Sequence, residues 1–303
     1  MAGKADSVKT ILYALGANFA IFVAKLVASI LTGSGSMLAE AVHSLADCGN
    51  QGLLLLGLKR SKKPPSDDFP LGYGKTIYFW SFLVALMLFS VGGIFSIYEG
   101  IHKLQHPEAL RWPWLAVGVL TFGIIAEAFS MWGCVVEVNK ARGDQSLWRW
   151  FRDSRQSELI VIFGEDLAAL LGLVFALIAV LLTMVTGNPM YDAGGSIMVG
   201  VLLIVVAVFI AIEVKALLIG QGVEPRQKEG NARVPARAAG DQARVQSAHT
   251  LQMGTDIMVA IKAEMSRYLS PKDMIADINR VEAAFRQKFP DVRWCFFEPD
   301  SAD

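Results

Sequence analysis

The sequence predicts an all-α bundle of six membrane-spanning helices followed by a small α+β domain, and three observations carry that prediction. The chain of 303 residues is 53% hydrophobic and only 18% charged, against about 25% charge in an ordinary soluble domain. Its mean hydropathy is +0.43. The apolar character is confined to 1–220, whereas 221–303 has the composition of a soluble domain. The chain therefore divides into a membrane part, 1–220, and a tail, 221–303.

A helix needs about 20 largely apolar residues to cross about 30 Å of hydrocarbon. Six segments qualify: 11–31, 36–58, 77–101, 112–138, 159–184 and 194–219. Their connections alternate in character. "TGSGS", "HKLQHPEALR" and "TGNPMYDAGG" are short and poor in basic residues, while "KRSKKPPSDDFPLGYGK" and "NKARGDQSLWRWFRDSRQ" are longer and basic. With the N-terminus, the second set holds twelve Lys and Arg, against Lys103 and Arg111 in the first. Basic loops stay in the cytoplasm, so both termini and the tail are expected there. Trp80, Trp112, Trp114 and Trp148 fall near span ends, where amphipathic rings sit. The polar start "MAGKADSVKT" does not read as a signal peptide, and a bacterial inner (plasma) membrane is the expected location.

The tail has strand-like runs at 243–253 and 256–265, joined by the turn "GT". The run 270–289 begins with a Ser N-cap and Pro at the first helical position, and sets Met274, Ile278, Val281 and Phe285 on one face. A third strand is predicted at 292–300, and a helix at 223–240 should precede the set. Net charge is zero, so nothing argues for nucleic acid as partner. Cys48, Cys134 and Cys295 lie far apart without a CxxC, which suggests neither a disulfide framework nor a thiolate metal site.

The ionisable groups inside the spans need an explanation. Glu40, His43 and Asp47 are spaced by three and four residues, so at 100° per residue they share one helix face. A charge facing lipid costs roughly 2.5–3.5 kcal/mol even on insertion scales, so that face must meet other helices or water. The fifth span repeats the problem with Glu165 and Asp166. Three readings compete: a buried polar network, a proton path, and a divalent-cation site. The donor set favours the third, because imidazole with carboxylates suits zinc, cobalt, nickel, iron or manganese. Without the ion, crowded acids take up protons, so metal binding expels protons. Glu40 and Asn50 are candidates to support the ligands or carry protons. Glu127 reads as a helix-packing group. Lys25, Glu99, Glu137, Glu213 and Lys215 lie near span ends and are expected to snorkel. His102 and His106 read as a solvated loop pair.

The stretch "GSGSMLAEAVHSLADCGNQ" resembles the second-span signature of the cation diffusion facilitator family, with its HxxxD present as His43 and Asp47, and "FPLGYGKTIYFWSF" (69–82) resembles that family's approach to the third span. The resemblance implies a homodimeric transporter, working by alternating access, that exports a divalent metal from the cytoplasm in exchange for protons. It also implies a tetrahedral site between the second and fifth spans. Zinc is the expected cargo, with cobalt, nickel, manganese or iron as alternatives, and no prosthetic group is implied. The family's fifth span carries a second His/Asp-xxx-Asp pair; here Ile162 stands four before Asp166, and Val161 four before Glu165. The ligands are then expected to be His43, Asp47 and Asp166, with Glu165 as a fourth ligand or a support. The tail resembles the family's ferredoxin-like cytoplasmic domain, which pairs protomers. His249, Glu298 and Asp300 are candidates for a cytoplasmic metal site there, against the simpler reading of a dimerisation module with a surface histidine.

Other classes fit less well. An intramembrane metalloprotease or a serine hydrolase would need HExxH or GxSxG, and neither occurs, so no enzyme is expected. A channel would be slowed by a compact His/Asp/Glu cluster. A non-transporting sensor or scaffold with a decayed site is the remaining alternative.

Overall fold

The structure is a computed structural model that describes residues 7–32, 35–107, 112–224, 244–265 and 270–300; within these, the side chains of 7, 28–29, 31–32, 35–43, 46 and 244–245 are outside the description. The chain separates into two compact units. The first comprises 1–59, 77–150 and 157–215, and the second 60–76, 151–156 and 216–303.

The first unit is helical. Helix α1 runs Ser7–Thr32 and α2 Gly35–Ser61. A continuous 30-residue stretch, Thr76–Gln105, is α-helical over Thr76–Met87 (α3), widens to π-helix over Leu88–Ile94, and returns to α-helix over Phe95–Gln105 (α4). Then follow α5 (Pro113–Arg142), the short α6 (Leu147–Asp153), α7 (Ser157–Thr186) and α8 (Met190–Ile219). Five helices among the described residues are long and apolar enough to cross a membrane: Val8–Val27 of α1, the Thr76–Gln105 stretch, α5, α7 and α8. Six spans were expected; the remaining one, α2, has the length with 27 residues, but its acids, amides and basic end make it the most polar of the set.

The unit is turned inside out relative to a soluble domain. Phe79, Phe129, Trp132, Ile178, Val185 and Phe209 are exposed, while Glu127, Glu137, Glu165, Asp166, Asn18 and Lys25 are buried. That arrangement suits a lipid solvent, in which polar groups must find partners inside the bundle. Small residues let the helices close. The Thr76–Gln105 stretch and α8 run antiparallel with backbones nearly touching: a Cβ on Gly93 would lie 3.2 Å from the Gly200 carbonyl oxygen, and one on Gly100 would lie 2.8 Å from that of Ala193. Such small-residue contacts take the place of hydrophobic burial between membrane helices.

The second unit holds a three-stranded sheet ordered β1-β2-β3. Strands β1 (Arg244–Met253) and β2 (Asp256–Glu264) are antiparallel, and β2 and β3 (Val292–Asp300) are parallel. The crossover is α9 (Pro271–Lys288), whose N-cap Ser270 accepts from the Lys272 amide. Buried and half-buried residues alternate along β2, and Ile257, Val259 and Ile261 meet Phe285, Val292, Cys295 and Val223 in the core. Met274, Ile278 and Val281 of α9 form the adjoining cluster, as the helical spacing predicts. The helix expected at 223–240 falls, beyond residue 224, outside the described residues.

Two connections belong to this second unit. Gly74 and Gly254 (φ 72°) touch backbone to backbone: a Cβ on Gly74 would sit 2.0 Å from the Met253 carbonyl oxygen, and one on Gly254 would sit 2.6 Å from that of Gly74. From the other connection, Arg155 donates through Nε to the Gly222 carbonyl at 2.7 Å and through Nη1 to that of Asp153 at 2.8 Å.

Candidate metal site

Helix α7 carries Glu165 and Asp166 side by side, 5% and 2% exposed. Neighbours on a helix diverge by about 100°, and the structure gives each acid a different partner helix. Glu165 turns to α2, where Asn50 Nδ2 donates to Oε1 at 2.9 Å and Gln51 Nε2 donates to Oε2 at 3.2 Å. Asp166 turns to α5, where Ser130 Oγ donates to Oδ2 at 2.9 Å. Asn50, Gln51 and Ser130 are all buried.

The register follows from these contacts. A Cβ on Gly123 would meet the Leu173 side chain at 3.3 Å, so moving seven residues back along α5 from Ser130 matches seven forward along α7 from Asp166. The two helices are antiparallel, and Glu127, three residues before Ser130, sits one turn beyond the Asp166 level on the same face. Glu127 is 4% exposed, within electrostatic range of Asp166, Asp47 and Glu165, and also of Lys25. Asp47, half-buried on α2, precedes Asn50 and Gln51 by three and four residues and shares their face. Carboxylates of α2, α5 and α7 thus lie within electrostatic range of one another.

Two polar atoms are left over. The amide oxygens Asn50 Oδ1 and Gln51 Oε1 are buried and have no hydrogen-bond partner among the described residues. Buried acceptors without donors are rare and costly. Here they lie on the amides that hold Glu165, so the site offers surplus oxygen, which suits a cation.

Of the residues anticipated from sequence, Asp47, Asn50, Glu165 and Asp166 fall in this neighbourhood. His43 and Glu40 lie one and two turns before Asp47 on α2, but their side chains are outside the described residues. Among the described residues no three His, Cys, Asp or Glu stand close enough together to hold a metal by themselves. Ile162 and Val161, four residues before Asp166 and Glu165, are wholly buried packing residues. Gln51 and Ser130 were missed; the available signal was a polar residue on the same face as an acid, three after Glu127 in one case and four after Asp47 in the other. Lys25 and Glu137 are buried in the protein, 7% and 3% exposed, and Glu137 accepts from Lys140 at 2.5 Å. His102 and His106 have neighbouring rings, with centroids 5.1 Å apart.

The tail candidates are not brought together. His249 is exposed on β1 opposite Ala260 of β2, which pairs with Phe296 of β3. Glu298 and Asp300 lie two and four residues further along β3, a full strand away, and Lys262 Nζ holds Asp300 at 2.9 Å. An intervening strand sets β1 and β3 about 10 Å apart, too far for one ion to be shared by side chains standing off the sheet.

Comparison with known proteins gives these positions a context. Residues 11–219 match the cation efflux transmembrane domain. The chain is 36% identical over 221 residues to the Xenopus laevis protein named proton-coupled zinc antiporter SLC30A9, mitochondrial, covering 72% of this chain and 40% of that one. It is 36% identical over 206 residues to the protein of the same name from Homo sapiens, covering 67% and 36%. Against metal tolerance protein C4 of Arabidopsis thaliana it is 31% identical over 224 residues, covering 72% and 48%. The chain thus spans less than half the length of each of these relatives.

Proposed function

Since the chain belongs to the cation diffusion facilitator family, a family of transporters, we propose that this integral membrane protein exports a divalent transition metal, zinc first, in exchange for protons. The observation that carries the reading is the oxygen-rich junction of α2, α5 and α7: buried carboxylates, each clamped by donors from another helix, beside two amide oxygens without partners. The names of the SLC30A9 relatives support zinc and proton coupling.

In this proposal α2 is the sixth span, and His43 and Asp47 join Asp166 as ligands. Glu165, tied to Asn50 and Gln51, orients that face and completes the coordination together with an amide oxygen. Protons occupy the acids when the metal is absent, because several carboxylates cannot all remain charged in a low dielectric. An arriving divalent ion replaces those protons, and its departure lets them return. Alternate exposure of the junction to the two sides turns this exchange into antiport. Homodimerisation, the termini on the basic-loop side and the ferredoxin-like assignment of the tail are parts of the same proposal.

A second reading, a metal sensor that does not transport, has one observation in its favour: Ile162 occupies an expected ligand position and is fully buried. Calorimetric zinc titration of the full-length protein in buffers of different ionisation heat tests the site. Zinc binding with proton release, abolished in Asp47→Asn and Asp166→Asn, is the expected result. Equal binding by wild type and both variants would remove the junction from the account.

A further inference from the structure

Lys25 is the only buried lysine among the described residues, at 7% exposure, and it lies within the apolar span Val8–Val27. A buried ammonium in a membrane helix needs compensating negative charge. Its surroundings supply that charge. Helix α1 packs on α5, with the Tyr13 ring against Gly133 and edge-on to Phe129, and Lys25 is within electrostatic range of Glu127. Lys25 follows Tyr13 by twelve residues, and Glu127 precedes Gly133 by six, so at about 1.5 Å per residue the Lys25 backbone sits about 9 Å beyond Glu127 along the bundle. Helical side chains lean back toward the N-terminus of their own helix, which carries the ammonium toward Glu127. Glu127 in turn is within range of Asp47, Glu165 and Asp166. The order along the bundle is therefore Asp166 with Ser130, then Glu127 one turn further, then Lys25.

We propose that Lys25 is the protein's own counter-cation for this acid cluster, displaced when a divalent ion enters and drawn back when it leaves. The inference rests on the transport-site reading above. It gives the chain a built-in competitor: the tethered positive charge shallows the electrostatic well, so that the ion is held loosely enough to be let go. A unit charge about 10 Å from a divalent ion, at an effective dielectric near 20, changes its binding constant by roughly two orders of magnitude.

The test titrates zinc into purified full-length protein and follows its release into chelator. Lys25→Met is expected to bind zinc about a hundredfold tighter and to release it more slowly, while Lys25→Arg, which keeps the charge, behaves as wild type. In a Glu127→Gln background the effect of Lys25→Met is expected to shrink, because the link between Lys25 and the cluster has been cut. Should Lys25→Met not fold, Lys25→Gln carries the same test. Unchanged or weaker zinc binding in the charge-removing variant, with wild type binding zinc, overturns the counter-cation and leaves the transport site standing. A wild type that binds no divalent ion overturns both.

Discussion

Asp166 and Glu165 look interchangeable in the sequence but are held by different chemistry, one by a hydroxyl and the other by two amides. The 100° between adjacent helical residues decides this. A hydrogen bond to a charged group is worth about 1.5–3 kcal/mol, so Ser130→Ala is expected to weaken zinc binding by about tenfold or more, and Ser130→Thr to restore it, as measured by calorimetry. Asn50→Leu removes both the 2.9 Å donor to Glu165 and one surplus oxygen; zinc binding should weaken at least as far as in Ser130→Ala. Among the site residues, the acids and Asn50 were legible because a polar group in an apolar run is conspicuous. Ser130 was not, because small hydroxyl side chains in membrane helices more often satisfy local backbone than distant acids, and Gln51 was hidden because the acid it holds lies on another helix. In the tail, burial pushes the Cys295 thiol up to about 11. The reactive thiolate is therefore scarce at mildly alkaline pH, and alkylation of Cys295 is expected only after the tail unfolds. Rapid alkylation of the folded chain would contradict its burial.

At the scale of elements, hydropathy located the helices to within a few residues of their observed ends, since apolar length is a direct consequence of bilayer thickness. What it could not show is how they close. The π-helical stretch Leu88–Ile94 holds Gly92 and Gly93, and Gly93 meets Gly200 while Gly100 meets Ala193. Isolated glycines in a sequence do not reveal their partners on another helix. Gly200→Val would place a branched side chain where even a Cβ lies 2.7 Å from the Gly93 carbonyl oxygen. Overpacking of this kind costs about 1–3 kcal/mol, so a lowered melting temperature in detergent is expected, with an unchanged Tm as the contrary result. The strands and helix of the tail were legible from alternation and from the Ser270–Pro271 cap.

Over the whole molecule, the two-part division was plain in composition, but composition gave no sign that 60–76 and 151–156 belong with 216–303. Those segments are polar connections in the sequence; the Gly74–Gly254 contact and the Arg155–Gly222 bond reveal where they dock. Gly74 lies two residues before α3, and Arg155 two before α7, the helix that carries Glu165 and Asp166. Gly74→Val should therefore loosen the β1–β2 turn, seen as faster amide exchange at Met253–Thr255, with Arg155→Ala doing the same near Gly222. Basic-loop bias speaks to sidedness and not to which membrane is crossed, so that expectation had no physical footing in the residues themselves.

Whether the junction of α2, α5 and α7 exchanges protons for a metal ion is decided by zinc uptake into proteoliposomes with an acidic lumen. Protons leaving the lumen should drive zinc in, dissipation of the pH gradient should stop it, and Asp47→Ala and Asp166→Ala should abolish it. Gradient-independent uptake, uptake unchanged in both variants, or silence with zinc, cobalt, nickel, manganese and iron alike would contradict the account.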